Sequence, residues 1–259
     1  MIDTHCHLDV EAFDADREAV LARAAAAGVT GVLVPAIRPR TWQALAALAE
    51  QHAILRFALG VHPQIVPELG DDELAGDLAE EIARAVTESG AIAVGECGLD
   101  GATGDHARQE QIFRAHVRAA RAVKRPLVIH VLRAHDAAPR ILREERAADV
   151  GGVMHSYSGG EHLVGVYREL GMYFSFAGPV TYPNAKRPIA AARAVPDALL
   201  LAETDAPDQA PAAYRGGRSE PAYVAAVIAG LAVARGVPTE RIAELTTANA
   251  ARLFGKFRD

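Results

Sequence analysis

Short apolar runs of β-forming residues alternate along the chain with longer segments of helical spacing. The alternation predicts strands over Ile2–His7, Gly31–Ala36, Leu55–Val61, Ala91–Glu96, Leu127–Val131, Gly152–His155, Met172–Ala177 and Leu199–Glu203. A helical segment is expected after each strand. Asp72–Ser89 shows the spacing best, with Leu74, Leu78, Ile82 and Val86 on one face and Gly90 as its stop. Others are expected over Asp14–Ala27 (capped by Asp14), Pro39–Gln51, Asp105–Lys124, Asp136–Ala147, Glu161–Leu170 and Ala185–Ala194. Two more, Glu220–Arg235 and Thr239–Leu253, close the sequence.

Strands that each lead into a helix, with no second zone of composition, predict an α/β fold. The expected form is a (β/α)8 TIM barrel, a single domain over residues 1–259. The alternative is an open doubly wound sheet. That fold would carry a glycine-rich phosphate loop after its first strand, and here the first strand ends in His5-Cys6-His7. The longest irregular stretch, Ala206–Arg218, holds several prolines and glycines, and a long loop in a compact domain is usually functional.

Composition narrows the class. Of 259 residues, 50% are hydrophobic and 23% charged, a mixture that excludes disorder. No apolar run is long enough to span a membrane, the first residues do not read as a signal peptide, and two cysteines are too few for a disulfide framework. A cytoplasmic protein is expected, a monomer with no obligate protein partner and no membrane contact. The net charge of −6 argues against a long grip on duplex nucleic acid, which needs many Lys and Arg.

Candidate chemistry gathers where strands end. His5 and His7 share one face by their i, i+2 spacing. Glu96, His130 and His155 end the fourth, fifth and sixth predicted strands, and Asp205 follows the eighth. A lone histidine at a strand end is usually structural. Six imidazole or carboxylate groups, all at the face where barrels build their sites, point instead to metal. Four histidines and two carboxylates suit two divalent ions, Zn, Mg or Mn, with Glu96 as the bridge. Cys6 and Cys97 flank ligands and, by alternation, point away from them.

Several further residues are candidates. His62, in Gly-Val-His-Pro, is a candidate for bonding a phosphate or an activated water, or for a structural turn. Glu203 is expected to steer a neighbouring His or Asp from behind. Arg133, His135, Arg215 and Arg218 are candidates for a positive rim, with Arg133 and His135 the substrate-binding choices. His52, His106, His116, His162 and Trp42 read as ordinary structural residues.

At these residues the chain resembles the TatD family of metal-dependent deoxyribonucleases, within the amidohydrolase superfamily. The resemblance rests on Asp-Thr-His-Cys-His-Leu-Asp, Gly-Val-His-Pro, Gly-Glu-Cys-Gly-Leu-Asp, Ile-His, His-Ser-Tyr-Ser-Gly, Glu-Thr-Asp-Ala-Pro and Thr-Ala-Asn-Ala-Ala-Arg-Leu-Phe, in order along nearly the whole chain. It implies a barrel with two metals and phosphodiester hydrolysis at DNA or oligonucleotide ends, or on a small phosphoester. It also implies that His5, His7 and Asp205 hold one ion and His130 and His155 the other, with Glu96 between them. Asp205 would orient or deprotonate the attacking water. Gly101, Ala102 and Leu132 depart from the family pattern, which often has aromatics after Gly-Leu-Asp and an Arg two residues after the fifth-strand His. The other readings are an amidase or lactonase of the same superfamily and a binding protein on a decayed barrel. The first commonly bridges its metals through a modified lysine, where this chain has Glu96. The second should have lost its ligands first.

Overall fold

The computed structural model describes residues 1–70 and 76–257. Eight strands, each parallel to its neighbours, run in chain order: β1 (Ile2–Asp3), β2 (Gly31–Pro35), β3 (Leu55–Leu59), β4 (Ala93–Asp100), β5 (Leu127–Leu132), β6 (Gly152–Met154), β7 (Met172–Phe176) and β8 (Leu200–Ala202). The helices are α1 (Arg17–Ala26), α2 (Trp42–Gln51), α3 (Leu78–Ser89), α4 (His106–Val123), α5 (Ala138–Glu144), α6 (Val164–Glu169), α7 (Lys186–Ala194), α8 (Val224–Arg235) and α9 (Thr239–Phe254). The expected barrel is the observed one. Several predicted helices split into a leading turn of 3-10 helix and a shorter α-helix, as at Pro39–Thr41 before α2 and Pro221–Tyr223 before α8. The start of the helix predicted from Asp72, with Leu74, lies outside the described residues. α1 begins at Arg17, and Asp14 pairs with that arginine rather than capping the helix.

The ring closes by single contacts rather than by a full ladder. The Thr4 amide donates to Ala202 O at 3.2 Å, Asp205 N to His5 O at 2.9 Å and His7 N to Ala206 O at 2.7 Å. Asp3 reinforces this seam. Its Oδ1 accepts from Thr204 N at 2.9 Å and its Oδ2 from Thr204 Oγ1 at 2.6 Å. The first predicted strand was therefore too long. His5 and His7 lie in an extended segment beyond β1, tied to the chain after β8.

Inside the ring, nearly every strand contributes one small or branched residue: Ile2, Leu33, Ala58, Ala93, Val128, Val153 and Leu201. Phe254 and Phe257 plug the end where the strands begin. A β-carbon on Gly31 would come 2.6 Å from the Phe257 ring, so that close approach requires glycine. The other face of each strand packs on the helices. Val32 and Val34 point outward beside Leu33, as a period of two demands.

β4 breaks its own period. Its register against β5 shifts between Val94 and Cys97. Ala93 faces the interior and Cys97 the helices, so the irregularity turns Glu96 inward. Glu96 therefore sits within the strand, not at its end, and His130 likewise precedes the end of β5.

Candidate metal centre

Glu96 is fully buried at the centre of five imidazoles. Its Oε2 lies 3.0 Å from His5 Nε2 and 3.4 Å from His7 Nε2. Its Oε1 lies 2.9 Å from His155 Nε2, 3.0 Å from His62 Nε2 and 3.2 Å from His130 Nδ1. Asp205 Oδ1 completes the first group, 3.6 Å from His5 Nε2 and 3.7 Å from His7 Nε2. Despite these distances, neither oxygen of Glu96 has a well-directed hydrogen-bond donor within the protein. A buried carboxylate without donors is costly unless a cation satisfies it. Imidazole nitrogens and carboxylate oxygens aimed at shared points are the donor set of a divalent transition ion. The residues present therefore fit a metal.

The charges centre on Glu96. Burial works against an ionised Glu96, yet His62, His155 and His5 hold its carboxyl well below the usual range. Burial, with His5 beside it, pushes His7 down to about 3. Burial also lowers His62 and lifts Asp205 to about 6. Burial opposes a charge on His155 and His130, yet Glu96 and Glu203 raise the first well above its usual value and Asp100 and Glu96 raise the second. Protons thus gather on these rings around the ionised bridge, and metal ligation there would have to displace them.

A family model for TatD related DNase matches residues 2–255. The chain belongs to the TatD family. It is 35% identical over 257 residues to the metal-dependent hydrolase YabD of Bacillus subtilis, covering 98% of both chains. It is 37% identical over 259 residues to the metal-dependent hydrolase YcfH of Escherichia coli K12, covering 98% of this chain and 95% of that one. The crystal structure of YjjV, a TatD homologue of E. coli K12, superposes with a TM-score of 0.90 at 33% identity, over 99% of this chain and 98% of that one. An organophosphorus hydrolase from Deinococcus radiodurans shares the fold alone, with a TM-score of 0.65 at 17% identity over 98% of this chain and 92% of that one. This TatD protein is accordingly a metal-dependent hydrolase.

A second layer holds the ring nitrogens in place. Asp100 Oδ2 lies 3.3 Å from His130 Nε2, which leaves Nδ1 of that ring to face Glu96. Gln64 Nε2 donates to the same Asp100 oxygen at 2.8 Å, and Ala102 N donates to Oδ1 at 2.8 Å. Glu203 Oε1 lies 3.5 Å from His155 Nδ1 and accepts from Ser156 N. Gln209 ties Asp205 to the neighbouring loop: its Nε2 donates to Asp205 Oδ2, and its Oε1 accepts from Ser156 Oγ at 2.8 Å.

The structure brings all six residues expected as ligands into this one centre. His62 joins them and also serves a turn. Its Nδ1 accepts from Gln64 N at 3.1 Å, so the neutral ring carries its proton on Nε2. His135 stands apart from the metal centre. Its Nδ1 meets Tyr167 Oη at 2.9 Å and its Nε2 meets Ser158 Oγ at 3.2 Å, so both nitrogens are engaged within the protein. Arg133 is exposed and lines a separate cavity of about 220 Å³ with Asp100 and His106. Arg218 is committed to Asp16 at 2.8 Å, and Arg215 lies over the Tyr182 ring at 5.0 Å. Sequence reasoning missed Asp100 and Gln209. Asp100 could have been found, since it closes the same Gly-Glu-Cys-Gly-Leu-Asp run and keeps the parity of Glu96. Gln209 lies in an irregular loop, where no period speaks.

Two departures from the family pattern acquire reasons. A β-carbon at Gly101 would come 2.5 Å from Arg133 O, so that position requires glycine. Leu132 forms part of the wall of a larger cavity beside His130. Both cysteines are buried with the outer core and form no disulfide. Among the described residues, no single helix is long and apolar enough to cross a membrane.

Proposed function

We propose that this protein is a phosphodiesterase that acts on DNA ends or short oligonucleotides and uses two divalent ions, Zn, Mg or Mn. The observation that carries this reading is Glu96, whose two oxygens face separate groups of imidazoles, His5 with His7 and His130 with His155. In this reading His5, His7 and Asp205 hold one ion, His130 and His155 the other, and Glu96 both. Bound there, the ions would supply Lewis acidity and ease the ionisation of water.

The protein's own groups supply the rest. Asp205, with Oδ2 held by Gln209 and Oδ1 turned to the centre, accepts the proton of the attacking water. His62 presents Nε2–H to a phosphoryl oxygen. Glu203 and Asp100 orient His155 and His130. The family's description as DNases supports a nucleic-acid substrate. The net charge of −6 suits a short contact at an end better than a track of phosphates. Two free cysteines are compatible with the reducing cytoplasm.

The test is release of nucleotides from single-stranded DNA with Mg, Mn or Zn. The wild type should release them and His130→Ala should not. No release with any of these metals overturns the reading, and turnover of lactones or cyclic amides instead would move the activity to the amidase branch.

A further inference from the structure

A cavity of about 490 Å³ opens beside the metal centre, within the size range of small-molecule sites. His130 and His155 form its inner edge, Leu132, Phe176 and Val180 wall it, and Arg187 of α7 stands at its rim. The walls are largely apolar, which suits a flat or apolar group stripped of water. Arg187 differs from the arginines that are paired within the protein. Arg23, Arg114, Arg118, Arg218 and Arg235 are each spent on a carboxylate. Arg187 is exposed and forms no ion pair among the described residues. Its charge acts on His135 and Tyr157, and Tyr157 also lines the cavity.

We propose that this cavity is a substrate subsite for the organic group of the phosphoester, and that Arg187 binds a second phosphate carried by that same group. The inference rests on the phosphoesterase reading. A phosphate at the metal centre has its counter-charge there. A second one, on an acidic protein, needs a cation of its own, and the planar guanidinium matches phosphate with two parallel hydrogen bonds. The substrate class is therefore a phosphoester with a base-sized apolar or aromatic group flanked by two phosphates, as in a terminal nucleotide joined to the next.

The experiment is calorimetric binding of thymidine 3′,5′-bisphosphate, against its 3′- and 5′-monophosphates, to Mn-loaded protein. The wild type should prefer the bisphosphate by about fivefold, the scale of an exposed ion pair. Arg187→Gln should erase the preference. Lys186→Gln, which removes a neighbouring charge outside the cavity, should keep it. Equal binding by the wild type, a preference surviving in Arg187→Gln, or its loss in Lys186→Gln overturns the inference. Cleavage of an unphosphorylated dinucleotide by the wild type tests the phosphoesterase reading separately. Cleavage without an Arg187-dependent preference defeats the subsite alone. An Arg187-dependent preference without cleavage keeps the subsite and defeats the reading.

Discussion

Asp100 and His130 meet between the neighbouring strands β4 and β5, with Oδ2 3.3 Å from Nε2. The contact selects which ring nitrogen is free, and a carboxylate behind a ligand histidine also raises its basicity. Asp100→Asn should keep the fold and weaken metal binding by about tenfold to a hundredfold. Metal titration by calorimetry, with circular dichroism as the folding control, measures this. Unchanged affinity would deny Asp100 its role.

Glu96→Gln should act on both halves of the centre, whereas His7→Asn should act on one. The neutral amide loses the charge that both imidazole groups face. After gel filtration in Mn or Zn, elemental analysis should find Glu96→Gln depleted of nearly all metal and His7→Asn retaining about one of the two proposed ions. Equal loss in the two variants would argue against a shared bridge.

Metal should also stabilise the fold. Ligands that bind only the native state add stability by mass action, about 2.7 kcal/mol at a hundredfold excess over Kd. Adding Mn or Zn to chelator-treated protein should raise Tm, and His5→Asn should blunt the rise. A Tm indifferent to metal would speak against a built site.

His116 ties stability to pH at a distance from substrate. Its buried ring accepts from Val61 N at 2.9 Å, and burial lowers its pKa to about 4 from 6.5. Below pH 6.5 the unfolded chain binds a proton that the native chain refuses. Stability is therefore complete above that value and falls as pH drops toward 4, by at most about 3 kcal/mol. Urea unfolding of chelator-treated protein at pH 7.5 and pH 5 should show the loss, and His116→Gln should flatten it.

Gly98 gives a backbone test. Its φ is +136°, and an added β-carbon would strike His130 O. Gly98→Ala should cost more than about 2 kcal/mol, because backbone strain and a clash between strands act together. It should also weaken metal binding by displacing β5. A variant as stable as the wild type would show that β4 and β5 can part without cost.

The eight strand–helix units were legible in the sequence because both periods persist along the chain. The strand ends were less so. Residues near His5 and His7 look like strand by composition, yet they make only scattered bonds, from Cys6 N to Leu33 O of β2 and between His5 or His7 and the loop after β8. Alternation alone places Glu96 on the wrong face, because one irregularity in β4 inverts the count after Val94. The six expected residues still come together: chemistry and order named them where geometry could not. The rim was not. Arg133, Arg215 and Arg218 carry the right charge in promising loops, but nothing local shows that Arg218 is spent on Asp16 or that Arg187 reaches the cavity.

The seam between the first and last strands has a consequence for biosynthesis. His5 and His7 emerge at the start of translation, and Asp205 follows some 200 residues later, beside Thr204 that Asp3 grips across a separation of 201. A nascent chain lacking its last quarter can offer the histidines but not the carboxylate that completes them. In the proposed ligand set, tight metal capture by that half of the centre would therefore be a late event, marking a ring that has already closed.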